Sequence, residues 1–391
     1  MHLTLRYTPF ALLAFLGGLS LFACKGNSNE NKASGNTEAL KSGYYYLKGK
    51  RGETAVTMHL EAFKPPSAME SSFYFNGMYY VDGQPDLAPR ECWGYIDSTG
   101  NIILEERPTK IQDTLAPMWK GKWGTDGFKG EYTGSNLSTK ALFALRPGNP
   151  ELNFTPLELN AVMHWPENAD TSEVACNYSI SVLVPNSANA ELNTYLNQQW
   201  LSILGADSLP QKPTTIQQLF EINKKNCFAA YKEEMTEADK DPELKGDYGF
   251  MYNRDFATSN EILYNDNGRL VVAISDYIYT GGAHGMSAAA LFTYDLRQKR
   301  ALTLDDVLKP GYETALLPHL QAAARRYSGL EAGDVLEDDG YYLVEEIPFT
   351  TNVGITEQGI IFDYPPYEVA AYAAGEIRLF VPFSEIKALM K

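Results

Sequence analysis

The chain is short of the residues that build the common catalytic and recognition sites. Of 391 residues only five are histidine and four are cysteine. Beyond the N-terminus the histidines are His59, His164, His284 and His319, none in an HxH, HxxxH or HExxH spacing. Such spacings bring two imidazoles onto one ion, so a zinc site here would need ligands gathered from distant segments, and no metal or cofactor is expected. No CxxC pair, Walker A loop or GxSxG elbow occurs, which removes the usual signatures of dithiol chemistry, nucleotide binding and serine hydrolysis. Positive charge is scarce as well: 33 Lys and Arg stand against 49 Asp and Glu, for a net charge of −16. Phosphate recognition needs a basic surface, so nucleic acid is not an expected partner. The acidic pairs Asp305-Asp306 and Asp338-Asp339 are adjacent in sequence, and adjacent side chains diverge on a helix or strand, which suits them poorly to paired acid/base work. Asp305-Asp306 reads instead as the charged start of a helix.

Long apolar runs are also missing, with one exception. Met1–Arg6 is positively charged and Phe10–Leu21 is apolar, the layout of a secretory signal and too short for a membrane-spanning helix. The run closes on Leu21-Phe22-Ala23-Cys24, which resembles a bacterial lipobox. That resemblance implies a signal peptide over residues 1–23 and a Cys24 thiol alkylated by a diacylglyceryl group. Several acyl chains hold a protein on a bilayer stably. Residues 24–42, rich in Asn, Ser, Gly and Lys, read as a flexible tether. The expected location is the cell envelope, lipid-anchored to a membrane, either periplasmic or surface-exposed. An exported chain enters a compartment that permits disulfides. Cys92, Cys176 and Cys227 remain, and two readings stand: a Cys176–Cys227 bridge with one thiol left over, or three buried thiols.

What is abundant is aromatic. The 25 Tyr and 18 Phe favour strands, and the length allows two ordinary domains. Residues 43–150 read as short strands: Tyr44–Lys48, Ala55–Phe63, Ser71–Asn76, Met78–Val81, Cys92–Ile96, Ile102–Glu106, Met118–Trp123, Gly127–Tyr132 and Lys140–Leu145. Turn signals such as Asn76-Gly77 and Asp126-Gly127 separate them. Val56–Leu60 alternates as a strand with one wet face. This predicts a small antiparallel β-barrel or sandwich. Gly121-Lys122-Trp123 is similar to the Gly-x-Trp of small ligand-binding barrels, with Trp123 taken first as core. Pro147–Pro166 reads as a connector.

Residues 171–391 mix strands and helices. Strands are expected at Tyr178–Val184, Phe250–Phe256, Glu261–Tyr264, Arg269–Tyr279, Ala289–Leu296, Tyr341–Thr350, Gly359–Tyr364 and Glu376–Pro382. Helices are expected at Asn189–Leu204, Thr215–Met235, Tyr312–Tyr327 and Ser384–Met390, the first capped by Ser187 or Asn189. The whole is α+β: an antiparallel sheet with packed helices follows the β-rich domain.

Between two of these strands lies Thr280-Gly281-Gly282-Ala283-His284-Gly285-Met286-Ser287. Its glycines allow left-handed backbone, and exposed amides there can cradle a polar ligand. The plainer reading, which takes precedence, is a hairpin that needs glycine and whose imidazole satisfies a local backbone group. Tyr279, Gly281, Gly282, His284 and Gly285, with Tyr364 and Tyr367 as exposed aromatics nearby, are the candidate binding residues.

Three runs in order carry a family resemblance: Tyr279–Gly285, then Leu302–Leu308, then Gly359–Tyr364 with Pro366–Gly375 and Val381–Ser384. Together they resemble the RsiV-like domain, from about Cys176 to Lys391. This domain is the extracellular part of lysozyme-sensing anti-sigma factors and the non-catalytic N-terminal module of PdaC-type peptidoglycan deacetylases. The resemblance implies an envelope binding module, with cell-wall glycan or a basic lysozyme-like hydrolase as partner. A lipoprotein signal argues against an anti-sigma role, and no segment resembles the deacetylase catalytic domain. The leading expectation is therefore a non-enzymatic binding module. Its alternatives are an enzyme acting on peptidoglycan through His284 with Asp276 or a tyrosine, and a carrier of a small apolar ligand in the N-terminal barrel.

Overall fold

The computed structural model describes residues 40–64, 73–107, 115–166, 174–241, 249–331, 333–337 and 341–391. The signal segment, Cys24, most of the tether and Asp338-Asp339 lie outside these residues.

Eight strands follow one another in the first region: β1 (Gly43–Arg51), β2 (Thr54–Phe63), β3 (Tyr74–Val81), β4 (Arg90–Ile96), β5 (Ile102–Glu106), β6 (Met118–Gly124), β7 (Gly127–Thr133) and β8 (Lys140–Pro147). Each pairs antiparallel with the next, and β8 returns to β1 with Arg51 opposite Phe143, closing a barrel. Closure leaves no open sheet edge. One face of each strand points inward in register, as in Leu47 opposite Met58, Met58 opposite Tyr79 and Leu104 opposite Trp119. Leu47, Met58, Leu60, Leu104, Trp119, Phe128 and Leu145 are fully buried there, each worth roughly 1.5–3 kcal/mol of hydrophobic stabilisation. Trp119 meets Tyr79, Tyr132 and Phe143 edge-on at 5.2, 5.1 and 5.0 Å. Trp123 packs against this core, as expected.

The barrel interior is thus filled by its own side chains. A cavity of about 370 Å³ lies at one mouth, lined by Arg51, Tyr79, Arg90, Glu106, Tyr132 and Asn136 among others. That lining is charged and polar, so the geometry does not favour a carrier of apolar ligands in the barrel. The expected turn at Asn76-Gly77 is absent, because β3 runs straight through it. Gly77 faces inward between Leu60 and Cys92, where a Cβ would stand 2.5 Å from the His59 carbonyl oxygen. Glycine here marks a close strand approach and not a reversal.

The expected connector is mostly strand. β9 (Asn153–His164) pairs along its whole length with β10 (Ala175–Asn186). It is the edge of a six-stranded sheet, a place that tolerates Pro156 in spite of its missing N–H. From β10 the chain crosses through α1 (Ala190–Ile203) and α2 (Ile216–Ala238) to β11 (Arg254–Asp266). β11 runs parallel to β10, and a parallel neighbour requires such a crossover. Of the strand expected at Phe250–Phe256, Phe250–Tyr252 forms a 3-10 turn instead, and the remainder joins Glu261–Tyr264 in this single strand, irregular only at Ile262/Tyr264. β12 (Arg269–Tyr279), β13 (Met286–Asp295) and β14 (Arg300–Leu302) complete an otherwise antiparallel sheet. Asn189 caps α1 by accepting from Glu191 and Leu192 N–H, both at 3.1 Å. Thr215 caps α2 through Gln218 N–H at 3.2 Å. Leu192, Leu196, Trp200, Ile216 and Phe220 bury the helices' apolar stripes on the sheet.

α3 (Leu304–Val307) begins where Asp306 accepts from the Thr303 N–H at 2.8 Å, so the acidic pair does charge a helix start. α4 (Tyr312–Ser328) leads to a smaller sheet of β15 (Val353–Ile355), β16 (Gly359–Tyr364) and β17 (Ile377–Pro382). Two expectations fail here. Tyr341–Thr350 forms no strand, because the Gln321 side chain takes both the N–H and the C=O of Ile347 at 2.9 Å. Ser384–Met390 contains only a 3-10 turn at Lys387–Leu389. Seven residues are too few to sustain a helix without strong packing, and the Leu389 carbonyl is taken by Lys309 N–H at 2.8 Å.

The outer face of β1–β3 packs on β11, so the face of Val56–Leu60 expected to be wet is dry. His59 and Glu61 are 0% and 1% exposed. Glu61 accepts from Ile262 N–H at 2.5 Å, and Tyr80 donates to the Leu263 carbonyl at 2.9 Å. These bonds serve the stretch of β11 beyond Ser259, where pairing with β10 has ended.

A stacked aromatic surface as candidate functional site

The loop joining β12 to β13 is held by its own side chains. Tyr279 donates its hydroxyl to the Gly282 carbonyl at 3.0 Å. Gly281 and Gly282 take φ of +91° and +98°, the left-handed region that glycine enters freely. Gly285 is buried, and a Cβ there would sit 2.4 Å from the Tyr277 ring. The His284 Nδ1 lies 2.9 Å from the Gly285 carbonyl oxygen. A carbonyl only accepts, so Nδ1 carries the hydrogen. The plainer sequence reading, an imidazole serving a local backbone group, therefore describes one side of the ring.

The other side does something else. The His284 ring stacks on Tyr372, centroids 3.9 Å apart and planes 21° from parallel. The Tyr372 hydroxyl donates to the same Gly285 carbonyl at 2.8 Å, which occupies both lone pairs. Tyr367 stacks on Tyr372 at 5.6 Å and 30°, and is 51% exposed. Its φ is +74°. A bulky side chain held left-handed costs about 1–3 kcal/mol, and here the strain sits at a half-exposed ring. Tyr277, Ile278 and Met286 add exposed apolar surface beside the loop.

Of the candidate residues, Gly281, Gly282, His284, Gly285 and Tyr367 come together, and Tyr279 braces the loop. Tyr364 does not join them. It is fully buried, its hydroxyl donating to the Pro348 carbonyl at 2.8 Å, because β16 is covered on both faces by the α4 core and the six-stranded sheet. Tyr372 was missed as a site residue: no spacing ties position 372 to position 284, and only the fold joins them. Asp276 is engaged by Thr258 at 2.6 Å, not by His284. Among the described residues no group of three or more His, Cys, Asp or Glu side chains is placed to hold a metal ion.

Two further clusters have clear electrostatics. The Cys176 and Cys227 sulfurs lie 3.3 Å apart as thiols. The hydrogen bond they share, with burial, pushes the Cys176 thiol up, while the same bond lowers Cys227. At the junction of barrel and body, Arg378 reaches Glu261 at 2.9 Å, Asp363 at 3.0 Å, and Glu91 and Glu376 both at 3.2 Å. Burial pushes Asp363 up to about 7 against the pull of Arg378, with Glu376 adding to the rise.

Fold and surface define a β-rich α+β protein with an exposed aromatic stack. Two consecutive segments match known families: residues 168–287 match one described as Deacetylase PdaC, and residues 305–384 match one described as a protein of unknown function, DUF3298. The stack draws His284 from the first segment and Tyr367 and Tyr372 from the second. The chain is 26% identical over 134 residues to the peptidoglycan-N-acetylmuramic acid deacetylase PdaC of Bacillus subtilis (strain 168), a match over 34% of this chain and 28% of that relative. The chain thus spans under a third of that enzyme's length. A solved DUF3298 family member from Bacteroides fragilis aligns with a TM-score of 0.54 at 25% identity, over 62% of this chain and 94% of that one. A DUF3298 family protein from Pseudomonas aeruginosa PAO1 gives a TM-score of 0.42 at 19% identity, over 62% and 95%. The PdaC-type part of the expected resemblance is borne out.

Proposed function

We propose that this chain is a lipid-anchored binding protein of the bacterial envelope that holds cell-wall glycan on the Tyr367–Tyr372–His284 stack. The row of rings, ending in a strained and half-exposed tyrosine, is the observation that carries the reading. Pyranose rings present apolar C–H faces, and aromatic rings meet them with large, rigid contact area. The similarity to an enzyme named for peptidoglycan supports that substrate class. The lipobox-like Leu21–Cys24 supports anchoring.

The test is retention of the full chain in mild detergent by insoluble peptidoglycan, beside free muropeptides as competitors. Wild type is expected to be retained, and Tyr367→Ala to be lost with unchanged circular dichroism. No retention of wild type would end the proposal. The net charge of −16 favours a second reading, in which the partner is a basic lysozyme-like hydrolase. That contact would weaken sharply with salt, whereas stacking on glycan would persist. Palmitate labelling in a bacterial host, lost in Cys24→Ser, tests the anchor.

A further inference from the structure

The paired thiols adjoin a cavity of about 330 Å³ between α2 and the first residues of β10 and β11. Tyr178, Tyr231 and Phe256 line it, and Arg254 and Glu234, joined at 3.2 Å, form its charged wall. Cys227 of α2 lines it as well and is half-buried, whereas Cys176 of β10 is 0% exposed. The two sulfurs therefore differ in access, and a molecule in the cavity meets Cys227 first. Cys176 stands behind it, its sulfur 3.3 Å away, within the roughly 3–3.5 Å of a near-attack contact.

Tyr231 is placed to act on these sulfurs. It follows Cys227 by one helical turn on the same face of α2, and lies close enough to Cys176 to feel its charge. It is 2% exposed, and its hydroxyl has no hydrogen-bond partner among the described residues. A buried donor left unpaired is costly, and a sulfur that becomes a thiolate supplies the missing acceptor. The Arg254 guanidinium favours the same negative charge at Cys176.

We propose that Cys227 and Cys176 form a thiol–disulfide exchange site for a low-molecular-weight disulfide, with Cys227 attacking and Cys176 resolving. The Cys227 thiolate, its proton lost to solvent, attacks one sulfur of R–S–S–R. That S–S bond breaks, and the departing thiolate takes up a proton. Cys176, its proton likewise released, then attacks the Cys227 sulfur, expels the second R–S group as a thiolate and closes the protein disulfide. Two protein thiols are oxidised while the small disulfide is reduced to two molecules of R–SH. The site depends on neither the glycan surface nor the anchor.

Bis(2-hydroxyethyl) disulfide is the probe, mixed at neutral pH with the reduced full chain in mild detergent. Adducts are located by peptide mapping, which separates Cys24 and Cys92 from the pair. Wild type should end with a Cys176–Cys227 bridge and both halves of the probe released as 2-mercaptoethanol. Cys176→Ser should trap the adduct on Cys227 at least about tenfold faster than Cys227→Ser traps one on Cys176, since thiolate fraction and access set the rate. Brief, limiting iodoacetamide on reduced wild type should mark Cys227 before Cys176 and Cys92, a readout that needs no variant. Tyr231→Phe should raise the pH midpoint of Cys227 labelling without lowering the melting temperature, because the hydroxyl is unpaired in the dithiol. Equal rates at the two cysteines, or no bridge in wild type, overturn the proposal. An unmoved midpoint in Tyr231→Phe overturns the part given to Tyr231.

Discussion

The imidazole of His284 lies flat on the phenol of Tyr372, and both rings donate to one oxygen, the carbonyl of Gly285. Stacking and hydrogen bonding are therefore separable at Tyr372. Tyr372→Phe is expected to cost about 0.5–1.5 kcal/mol of stability while keeping retention on peptidoglycan. Tyr372→Ala should lose the retention as well. Chemical denaturation and pelleting with insoluble wall material read the two effects independently.

Cys176 and Cys227 stand close enough to join after a small side-chain rotation. Protein from an oxidising compartment is expected to lose two hydrogens in intact mass, recovered on reduction. Closing a loop of this length is worth up to about 4 kcal/mol in the chain-entropy description. Oxidised wild type should therefore unfold at higher denaturant than the double serine variant, and reduced wild type should match that variant.

Asp363 couples the junction to pH. Its folded value is about 7 against an ordinary 3.8, so the proton favours the folded state. That contribution is full below the ordinary value and is lost as pH rises through about 7. Asp363→Asn keeps the acceptor for Arg378 but cannot ionise. Between pH 4 and pH 7 wild type should lose stability relative to the variant, at up to about 1.4 kcal/mol per pH unit.

His59 works in the opposite direction. Burial lowers it to about 3, inside a ring of Tyr44, Tyr46, Tyr80 and Tyr264. Its contribution is present above the ordinary value of 6.5 and is lost as pH falls through about 3. Acid unfolding of wild type should be steeper than that of His59→Gln across this window, measured by near-ultraviolet circular dichroism.

Gly77→Ala should destabilise the barrel by about 1–3 kcal/mol, the usual cost of forcing extra volume into a packed interior. A urea midpoint unchanged from wild type would mean that β2 and β3 separate freely at His59.

Much of the barrel could be read from alternation, because each strand has one face on the core. Ile102–Glu106 was found with both ends correct for that reason. Closure could not be read, since pairing of β1 with β8 leaves no local mark. The same rule misled where it met covered faces. Thr57 and His59 look solvent-facing by pattern, and only the body packed outside the barrel buries them. Tyr364 looked exposed because β16 gives no sign of being sandwiched. β9 was hidden by Pro156 and by polar residues that an edge strand accepts. At the candidate surface the glycine loop was visible as a motif, while Tyr372 reached it through folding alone.

The ladder between β9 and β10 bears on where the polypeptide can be divided. A fragment starting at residue 168, where the similarity to the deacetylase family begins, severs twelve paired residues and strips Glu61 and Tyr80 from β11. Its raw edge would be a template for self-association. Sequence similarity marks a boundary here, and the hydrogen bonds do not respect it.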